Sequence, residues 1–305
     1  MNKQVLITGA TGMIGQKLIR ILLEKGHQVA ILSRKMANIK DVKVYLWDVS
    51  KATIDPDCLT GVDTIIHLAG ENIASEKWTK ERKQKIVDSR VLSAQLLYKT
   101  IKAQNAPVKN FISASAVGYY GDAGNEILTE ADPNGTGFLA SCCRQWEAAA
   151  DEGLAMGIRV VKWRIGFILA HHEGALKAME QPIRYFAGAG LGSGKQWVPW
   201  VHIDDILEMF SQSVENQRFE GPYNACAPHP ASNLELTKAI AKQLHRPVWP
   251  INVPEFVLKI ILGELSEIVL ISNNASPRKL LDTGFKFKYS QLESALSDIY
   301  KPNKP

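Results

Sequence analysis

The chain has 305 residues, of which 46% are hydrophobic and 22% charged, as is ordinary for a globular protein in water. Its net charge of +5 is small and scattered, so we expect no nucleic-acid partner. The longest apolar stretch, residues 256–271, is too short and too charged to span a bilayer, so we expect no membrane partner. The four cysteines have no metal-ligand spacing and no secretory signal precedes them, so we expect reduced thiols, a cytoplasmic location and no metal site.

A glycine-rich turn near the amino terminus is the most specific feature of the sequence. The motif GATGMIG at residues 9–15 follows an apolar run at 5–8 and precedes residues 16–25, where leucine and isoleucine recur at helical spacing. A strand, a glycine turn and a helix in this order bind a pyrophosphate, because glycine lets the backbone approach it and the helix start offers N–H groups. The motif therefore predicts a dinucleotide site. Its candidate contacts are Gly9, Thr11, Gly12, Met13, Ile14 and Gly15.

Apolar runs and helical segments alternate along the first half of the chain. The predicted strands after the first are residues 29–33, 42–47, 64–68, 111–115 and 160–163. The predicted helices between them include residues 80–103 and 139–156. This alternation predicts an α/β fold with a doubly wound parallel sheet, in which ligands bind at the carboxyl ends of the strands.

The residues after the second strand indicate which dinucleotide binds. An acidic side chain there would accept hydrogen bonds from the ribose 2′-hydroxyl of NAD, but this chain has Ser33 and Arg34. A hydroxyl and a guanidinium suit a 2′-phosphate, so the sequence favours NADP(H) as the cofactor. The alternative is that Arg34 is an exposed arginine of a polar loop. The further candidate contacts at strand ends are Asp48, which is equally a candidate turn residue, Leu68, Ala69, Gly70, Glu71, Ser113 and Arg164.

The pattern loosens after about residue 170, which indicates a smaller carboxyl-terminal lobe. We expect residues 1–226 to form the nucleotide-binding domain, with 170–200 contributing to the substrate lobe, and residues 227–305 to complete that small α+β lobe. Helix-like segments in the lobe are residues 234–244, 256–270 and 291–299. The apolar face of 256–270 either packs on its own domain or forms a dimer or ligand surface.

Taken together, the motifs resemble those of the extended short-chain dehydrogenase/reductases. More narrowly, the chain is similar to an atypical, NAD-dependent epimerase/dehydratase-like branch related to nucleoside-diphosphate-sugar epimerases, which ends in a domain of unknown function. The motifs that carry this resemblance are GATGMIG at 9–15, HLAGENI at 67–73, SASAVGYYG at 113–121, FLA at 138–140, WVHIDD at 200–205, APHPASN at 227–233, LGELSE at 262–267 and LDTGF at 281–285. The resemblance implies a Rossmann-type fold that binds NADP(H) and a small-molecule substrate. It also implies a homodimer paired through helices 82–103 and 139–156.

The same resemblance identifies a pair of residues that this chain lacks. Members with ordinary chemistry carry Tyr-x-x-x-Lys one helix after a catalytic serine; the tyrosine transfers a proton and the lysine lowers the tyrosine pKa. Ser115 fits the serine position, but the aligned helix has Leu139 and Cys143 at the tyrosine and lysine positions. No tyrosine or lysine occurs between Asp122 and Met156. The usual acid–base pair is therefore absent.

Three other residues are candidates for the missing chemistry. Cys143 is either a thiol acid/base or a buried residue used as a small apolar side chain. Tyr119 either donates a proton or packs under its loop. Arg90 fits an arginine typical of the atypical branch, and the resemblance implies that it supplies positive charge near the nicotinamide, holds an anionic substrate or contacts the cofactor. The alternative for Arg90 is an ordinary arginine on a helix surface.

The sequence supports two functions. The first is an NADP(H)-binding oxidoreductase or epimerase-like enzyme that acts on an unidentified small molecule held near Ser115. The second is a non-catalytic NADP(H)-sensing or scaffold protein, because a serine alone does not supply the proton transfer that the tyrosine performs. Both functions require the glycine turn and Arg34.

Overall fold

The computed structural model describes residues 2–301, and its central element is an eight-stranded sheet. In chain order the strands are β1 (Gln4–Thr8), β2 (Gln28–Ser33), β3 (Val42–Asp48), β4 (Thr53–Ile54), β5 (Thr64–His67), β6 (Asn110–Ala116), β7 (Ile127–Leu128), β8 (Arg159–Ile165), β9 (Phe167–Leu169), β10 (Trp197–Val198), β11 (Trp200–His202), β12 (Gly221–Ala225), β13 (Ala231–Ser232) and β14 (Asn274–Ala275). The α-helices are α1 (Met13–Glu24), α2 (Lys80–Gln104), α3 (Phe138–Asp151), α4 (Gly174–Arg184), α5 (Ile203–Glu215), α6 (Asn233–Gln243), α7 (Glu255–Leu262), α8 (Glu267–Leu270), α9 (Arg278–Asp282) and α10 (Leu292–Ile299).

The strand order of the main sheet creates a crevice at its centre. The order is β12-β8-β6-β5-β1-β2-β3-β4, and every neighbouring pair is parallel except β3 and β4. The chain runs from β1 outward through β2 and β3, and then returns to fill the other side from β5 onward. Loops after β1 and β5 therefore leave the sheet in opposite directions, which opens a binding crevice between them. The fold is a Rossmann-type doubly wound parallel sheet, as predicted.

The two faces of the sheet are covered because the central strands are apolar on both sides. Val5 and Ile7 of β1 pack with apolar residues of α1 and α5, whereas Leu6 packs with residues of α2 and α3. Side chains alternate between the faces of a strand, so an uninterrupted apolar run buries both faces under helices. This packing fixes the carboxyl end of β1, where the glycine turn begins.

The carboxyl-terminal region consists of short helices and strands that pair with earlier parts of the chain. Strand β13 pairs with β10, and β14 pairs with β7. The prediction of one helix over residues 256–270 is wrong: Gly263, with φ of 60°, ends α7, and a 3₁₀ turn separates it from α8. On α7, Leu258 is buried while Ile260 and Ile261 are exposed. Among residues 2–301, no helix has the length and apolar character needed to cross a bilayer.

Candidate functional site

The glycine turn between β1 and α1 takes the conformation that the motif predicts. Gly9 has φ of 65°, and a Cβ atom there would lie 2.5 Å from the carbonyl oxygen of Leu68. The backbone N–H of Gly12 donates to the Gly9 carbonyl at 3.0 Å, which closes the turn. A Cβ atom at Gly15 would lie 2.6 Å from the Cα of Ala10. Glycine is therefore required at positions 9 and 15 by close backbone contact.

The start of α1 faces this turn without a capping side chain. Gly12 is the N-cap residue, and it has no side chain that could accept from the first N–H groups of the helix. Those N–H groups have no acceptor within the helix, and they form the positive end of its dipole. Met13 and Ile14 are half-buried, whereas Thr11 is exposed and its carbonyl accepts from the Gln16 side chain at 2.8 Å. This arrangement suits an anionic group such as a pyrophosphate.

The loop after β5 is held against the glycine turn. The hydroxyl oxygen of Thr8 accepts hydrogen bonds from the backbone N–H groups of Leu68 and Ala69, each at 3.1 Å. Gly70 follows in an exposed position. The carboxyl ends of β1 and β5 are therefore joined by side chain to backbone hydrogen bonds, and the candidate residues on both loops lie along one crevice.

Arg34 and Glu71 form an ion pair between the ends of β2 and β5. The Nη1 atom of Arg34 lies 3.9 Å from Oε1 of Glu71, and the Arg34 side chain is 83% exposed. The other Glu71 oxygen lies 3.1 Å from Nη1 of Arg82. The hydroxyl oxygen of Ser33 accepts from the backbone N–H of Lys35 at 3.3 Å. Arg34 is thus a solvent-accessible cation at the strand end predicted to face the adenosine ribose.

Asp48 caps the turn that follows β3. Its carboxylate accepts from the backbone N–H groups of Ser50 and Lys51 at 3.0 and 3.3 Å. The hydroxyl of Ser50 also donates to it at 2.6 Å, and this hydrogen bond lowers the pKa of Asp48. The structure therefore gives Asp48 the turn role that the sequence left open. Its contact with the cofactor stays a prediction.

Arg90 supports the loop after β5 from below. Its Nη2 donates to the carbonyl of Glu71 at 3.1 Å, its Nη1 donates to the carbonyl of Ile86 at 2.8 Å, and its guanidinium lies 4.9 Å from the ring centre of Trp146. A Cβ atom at Gly70 would lie 3.0 Å from the guanidinium carbon. Burial lowers the pKa of Arg90. The residue is thus half-buried and holds the loop in place, rather than lying free on a helix surface.

A buried histidine lies beneath the same loop. Burial lowers the pKa of His67 to about 3, and the charge of Arg90 adds to this shift, so the imidazole is neutral at physiological pH. Its Nε2 lies 2.7 Å from the hydroxyl of Ser93 and its Nδ1 lies 3.4 Å from the hydroxyl of Ser113. Ser113 is 1% exposed and also donates to the carbonyl of Ala114. These contacts place Ser113 inside the sheet, beneath the crevice.

Ser115 belongs to a buried network centred on Glu147. The Ser115 hydroxyl donates to Oε1 of Glu147 at 2.7 Å. The guanidinium of Arg164 binds both oxygens of the same carboxylate, Nε to Oε1 at 2.8 Å and Nη2 to Oε2 at 2.9 Å. Burial alone would lower the pKa of Arg164, but its hydrogen bonds and ion pair with Glu147 outweigh this and raise it. Such a two-pronged pair holds the Ser115 hydroxyl in one orientation.

Two tyrosines extend this network beyond Arg164. The third guanidinium nitrogen of Arg164, Nη1, donates to the Tyr120 hydroxyl at 2.9 Å, which donates to the side-chain oxygen of Asn224 at 2.7 Å. Burial raises the pKa of Tyr120. The ring of Tyr119 lies under the guanidinium, 3.6 Å from its carbon. All three nitrogens of Arg164 are engaged by protein groups, so its contact with the cofactor stays a prediction.

The helix α3 faces the loop after β6 with apolar residues at the positions where the resemblance predicts an acid–base pair. A Cβ atom at Gly118 would lie 3.4 Å from the Cβ of Leu139 and 3.8 Å from the Sγ of Cys143. The aligned positions therefore do face the segment that follows Ser115. Burial raises the pKa of Cys143, and the charges of Cys142 and Glu147 act in the same direction. The thiol of Cys143 is thus protonated at neutral pH.

A cleft of about 560 Å³ lies between the nucleotide-binding part and the carboxyl-terminal region. Its walls include Phe138 at the start of α3 and Leu270 at the end of α8. The backbone N–H of Leu139 donates to Glu267 at 3.4 Å, so a carboxylate of the carboxyl-terminal region caps α3. The charged residues that line the cleft are Lys83, Lys259, Asp122, Glu255, Glu264 and Glu267. Carboxylates therefore outnumber ammonium groups by four to two.

His202, Asp204 and Asp298 form a second polar cluster, and their ligand atoms lie within 4.8 Å of one another. The Nδ1 of His202 accepts from the backbone N–H of Asp204 at 3.1 Å, which caps α5. Lys288 lies 2.8 Å from Asp204, and Lys301 lies 3.4 Å from Asp298. Because two lysines already compensate the carboxylates, this cluster fastens the carboxyl-terminal region to α5.

The structure brings the predicted site residues together in two groups. The glycine turn, Arg34, Glu71 and Arg90 line or support one end of the crevice, and Ser115, Tyr119, Cys143 and Arg164 surround the end of β6. Sequence reasoning missed Glu147 as the centre of the second group. The available signal was an acidic residue among alanines on a buried helix face, which indicates a partner of opposite charge.

The comparisons with known proteins agree on a family. The sequence model of the NAD dependent epimerase/dehydratase family matches residues 5–226, and that of a domain of unknown function, DUF1731, matches residues 253–299. The epimerase family protein YfhF of Bacillus subtilis is 37% identical over 302 residues, which cover 98% of this chain and 99% of YfhF. These matches confirm the resemblance that the motifs indicate.

Two solved structures are similar over nearly the whole chain. The human epimerase family protein SDR39U1, solved with NADPH, has a TM-score of 0.85 and 28% identity, with 97% of this chain and 99% of that chain covered. A nucleoside-diphosphate sugar epimerase from Corynebacterium glutamicum has a TM-score of 0.81 and 32% identity, with 98% of this chain and 58% of that chain covered.

Proposed function

Because the chain belongs to the NAD dependent epimerase/dehydratase family, we propose that it binds NADP(H) and acts as an oxidoreductase or epimerase-type enzyme on a small molecule. The observation that carries the proposal is the turn at Gly9, whose backbone leaves no room for a Cβ atom and leads to an α1 start without a capping side chain. Arg34 stands beside this turn as an exposed cation.

The residues present fit a dinucleotide with a 2′-phosphate. The N–H groups at the start of α1 would bind the pyrophosphate, and Arg34 would bind the 2′-phosphate through charge-assisted hydrogen bonds. SDR39U1, which was solved with NADPH, is a relative of the same fold over almost the full length of both chains. When bound, the cofactor supplies hydride exchange at C4 of its nicotinamide ring.

The chain's own residues at the end of β6 would orient the substrate. Since the Ser115 hydroxyl donates its proton to Glu147, its oxygen keeps lone pairs that accept a hydrogen bond from a substrate hydroxyl. The protonated thiol of Cys143 and the ring of Tyr119 shape the adjoining wall. Arg164 binds both carboxylate oxygens of Glu147, so the carboxylate stays in place and the Ser115 hydroxyl keeps its donating orientation.

We place the part of the substrate that extends away from Ser115 in the cleft beside Phe138. Ser115 does not line this cleft, but Phe138 precedes Leu139, which lies against Gly118 in the loop after Ser115. Two of the four carboxylates there are paired: Lys83 with Glu264, and Lys259 with Glu255 at 2.6 Å. The remaining two carboxylates give the cleft a net negative charge. This charge repels the diphosphate group that a sugar-nucleotide substrate would carry in addition to the pyrophosphate of the cofactor. A small polar substrate without phosphate groups therefore suits this cleft better than a sugar nucleotide does.

A cofactor titration tests the first half of the proposal. Energy transfer from the tryptophans to reduced nicotinamide should report tight binding of NADPH and weak binding of NADH. Arg34→Glu should abolish the preference, because a carboxylate repels the 2′-phosphate. Arg20→Glu is the matched control, since Arg20 is another exposed arginine, the eighth residue of α1, whose carboxylate partner is Glu24. Equal affinities for NADPH in the parent protein and Arg34→Glu would contradict the assignment.

Hydride exchange tests the second half. Deuterium at C4 of NADPH should pass to a metabolite when the protein is incubated with a pool of small carbonyl compounds, and Ser115→Ala should slow this transfer. Full transfer by the Ser115→Ala variant would remove Ser115 from the mechanism.

A non-catalytic NADP(H) sensor is the second candidate function, and a specific observation favours it. Cys143 is buried and protonated, the Ser115 hydroxyl is committed to Glu147, and the aligned tyrosine position holds Leu139. A sensor would bind NADPH and change its partner or oligomeric state without passing deuterium to any metabolite. The hydride-exchange experiment therefore separates the two functions.

A further inference from the structure

We propose that Glu71 competes with the 2′-phosphate of NADP(H) for Arg34, and that this competition sets how strongly the protein prefers NADP(H) over NAD(H). The inference rests on the proposed binding of NADP(H). It adds a specificity-determining residue in the loop after β5. The residues that distinguish NADP(H) from NAD(H) are usually sought at the end of β2.

The ion pair between Arg34 and Glu71 crosses the crevice. Arg34 follows β2, Glu71 lies in the loop after β5, and β1 lies between these two strands. The glycine turn begins at the end of β1, so the pair spans the region directly above that turn. Strands in a sheet lie about 4.8 Å apart, so the side chains must reach over roughly 10 Å to meet. A dinucleotide lying along the crevice would pass through this same region.

Glu71 is the fixed member of the pair. Its backbone N–H donates to the Ser89 hydroxyl at 2.9 Å, and its carbonyl accepts from Arg90 at 3.1 Å. Its Oε2 lies 3.1 Å from Arg82, whose side chain is only 8% exposed. Arg34, by contrast, is 83% exposed. A phosphate that approaches Arg34 therefore meets a carboxylate that is held in place on the opposite side.

Competition follows from the charges. Arg34 can turn toward the 2′-phosphate only by weakening its contact with Glu71. An exposed ion pair is worth about 0.2–1 kcal/mol, which corresponds to a change in affinity of up to about fivefold. A cofactor without the 2′-phosphate does not recruit Arg34, so its affinity is not reduced in this way.

The experiment compares two charge-neutralising variants, Glu71→Gln and Glu76→Gln. Glu76 is the matched control because its carboxylate lies 3.9 Å from Arg82 and its side chain is 69% exposed. The Glu76→Gln substitution therefore removes the same charge beside the same arginine without changing the ion pair of Arg34. Dissociation constants for NADPH and NADH are measured for each variant at one salt concentration. We expect the ratio of the NADH to the NADPH constant to rise about two- to fivefold in Glu71→Gln. The ratio in Glu76→Gln should equal that of the parent protein.

A double-mutant cycle assigns the effect to the pair. In an Arg34→Gln background, Glu71→Gln should leave the ratio unchanged, because the group for which it competes is gone. A ratio that still rises in that background would overturn the proposal, since it would reflect the general potential of the crevice. Melting temperatures of all variants confirm that each is folded.

Three further outcomes would overturn the proposal. If Glu71→Gln changes the affinities for NADPH and NADH by the same factor, Glu71 acts on the part of the dinucleotide that both cofactors share, or it acts through Arg82. If the parent prefers NADPH and Glu71→Gln has the same ratio, the competition is absent while the proposed function stands. If the parent protein binds neither cofactor or does not prefer NADPH, the proposed function fails as well, and the titration of the parent alone reveals this.

Discussion

The two ends of the crevice differ in how they depend on side chains. At the end of β1, the groups proposed to bind an anion are backbone N–H groups presented by the Gly9 turn and by the uncapped start of α1. At the end of β6, the polar groups are side chains, and Leu139 and Cys143 stand where the resemblance predicts a Tyr-x-x-x-Lys pair. The Ser115 hydroxyl there is tied into a buried ion pair between Glu147 and Arg164.

This difference shows that the two ends of a nucleotide-binding crevice tolerate side-chain substitution to different extents. A phosphate cradle made from backbone survives many side-chain substitutions, provided that the close approach at glycine is kept. Proton transfer depends on one hydroxyl or amine at one position, so a single substitution removes it. A chain can therefore keep the binding geometry of its family while its reactive end becomes a structural network.

The largest effect is expected from breaking the buried ion pair at the end of β6. Arg164→Met leaves Glu147 buried without its two-pronged partner, and removing one member of such a pair costs about 3–5 kcal/mol of unfolding free energy. Urea denaturation measures this loss. The double variant Arg164→Met/Glu147→Leu should recover much of it, because no unpaired charge remains. Equal losses in the single and double variants would contradict the assigned role of the pair.

The next effect concerns the glycine turn. Gly9→Ala places a Cβ atom 2.5 Å from the Leu68 carbonyl oxygen at φ of 65°, whereas Gly124→Ala has a similar φ of 59° and open space around it. We expect Gly9→Ala to lose about 3 kcal/mol of stability and Gly124→Ala about 1 kcal/mol. NADPH affinity should fall only in Gly9→Ala. Similar losses in both variants would mean that backbone conformation alone, and not close contact with the β5 loop, requires glycine at position 9.

A smaller effect is expected from removing the serine hydroxyl. Ser115→Ala deletes one hydrogen bond to Glu147, but Arg164 still binds both carboxylate oxygens. The unfolding free energy should therefore fall by about 1 kcal/mol in urea denaturation. A loss as large as that of Arg164→Met would show that the serine, and not the arginine, is the main partner of Glu147.

The smallest response is expected from the thiol of Cys143. Burial raises its pKa, and the side chain is 6% exposed, so native protein at pH 7.5 should not react with iodoacetamide at this position. Mass spectrometry of native and urea-unfolded samples measures the modification, and the unfolded chain should be modified at all four cysteines. Rapid modification of Cys143 in the native protein would instead mark it as an accessible thiolate and strengthen its candidacy as an acid/base.

The central strands and long helices were predictable because the spacing of their apolar residues fits only one type of secondary structure. Strands β1, β2 and β6 lie within one residue of their predicted ends, since an apolar run bounded by turn residues indicates a buried parallel strand. Strand β12 was missed, because GPYNA contains glycine, proline and asparagine and has no apolar run. It pairs with β8 at the edge of the sheet, where one side needs no partner.

The division of residues 256–270 into separate helices also depended on tertiary structure. The apolar residues fit one helical face, but Gly263 with φ of 60° ends α7. Leu265 and Ile268 then pack with Trp78 and Leu139, whereas Ile260 and Ile261 remain exposed. Periodicity describes which residues share a helix face; it does not reveal that two parts of the face contact different surroundings.

The sequence by itself determined the fold class, the glycine turn and the lack of the tyrosine and lysine, because each depends on residues that are neighbours in the chain. Only the tertiary structure decided which side chains are already engaged. Glu147 and Arg164 are 17 residues apart, and Arg34 and Glu71 are 37 apart, so only the sheet order and helix packing bring their charges together. An ion pair between distant segments has no periodic signal in a sequence, since its energy depends on distance and burial and not on spacing along the chain.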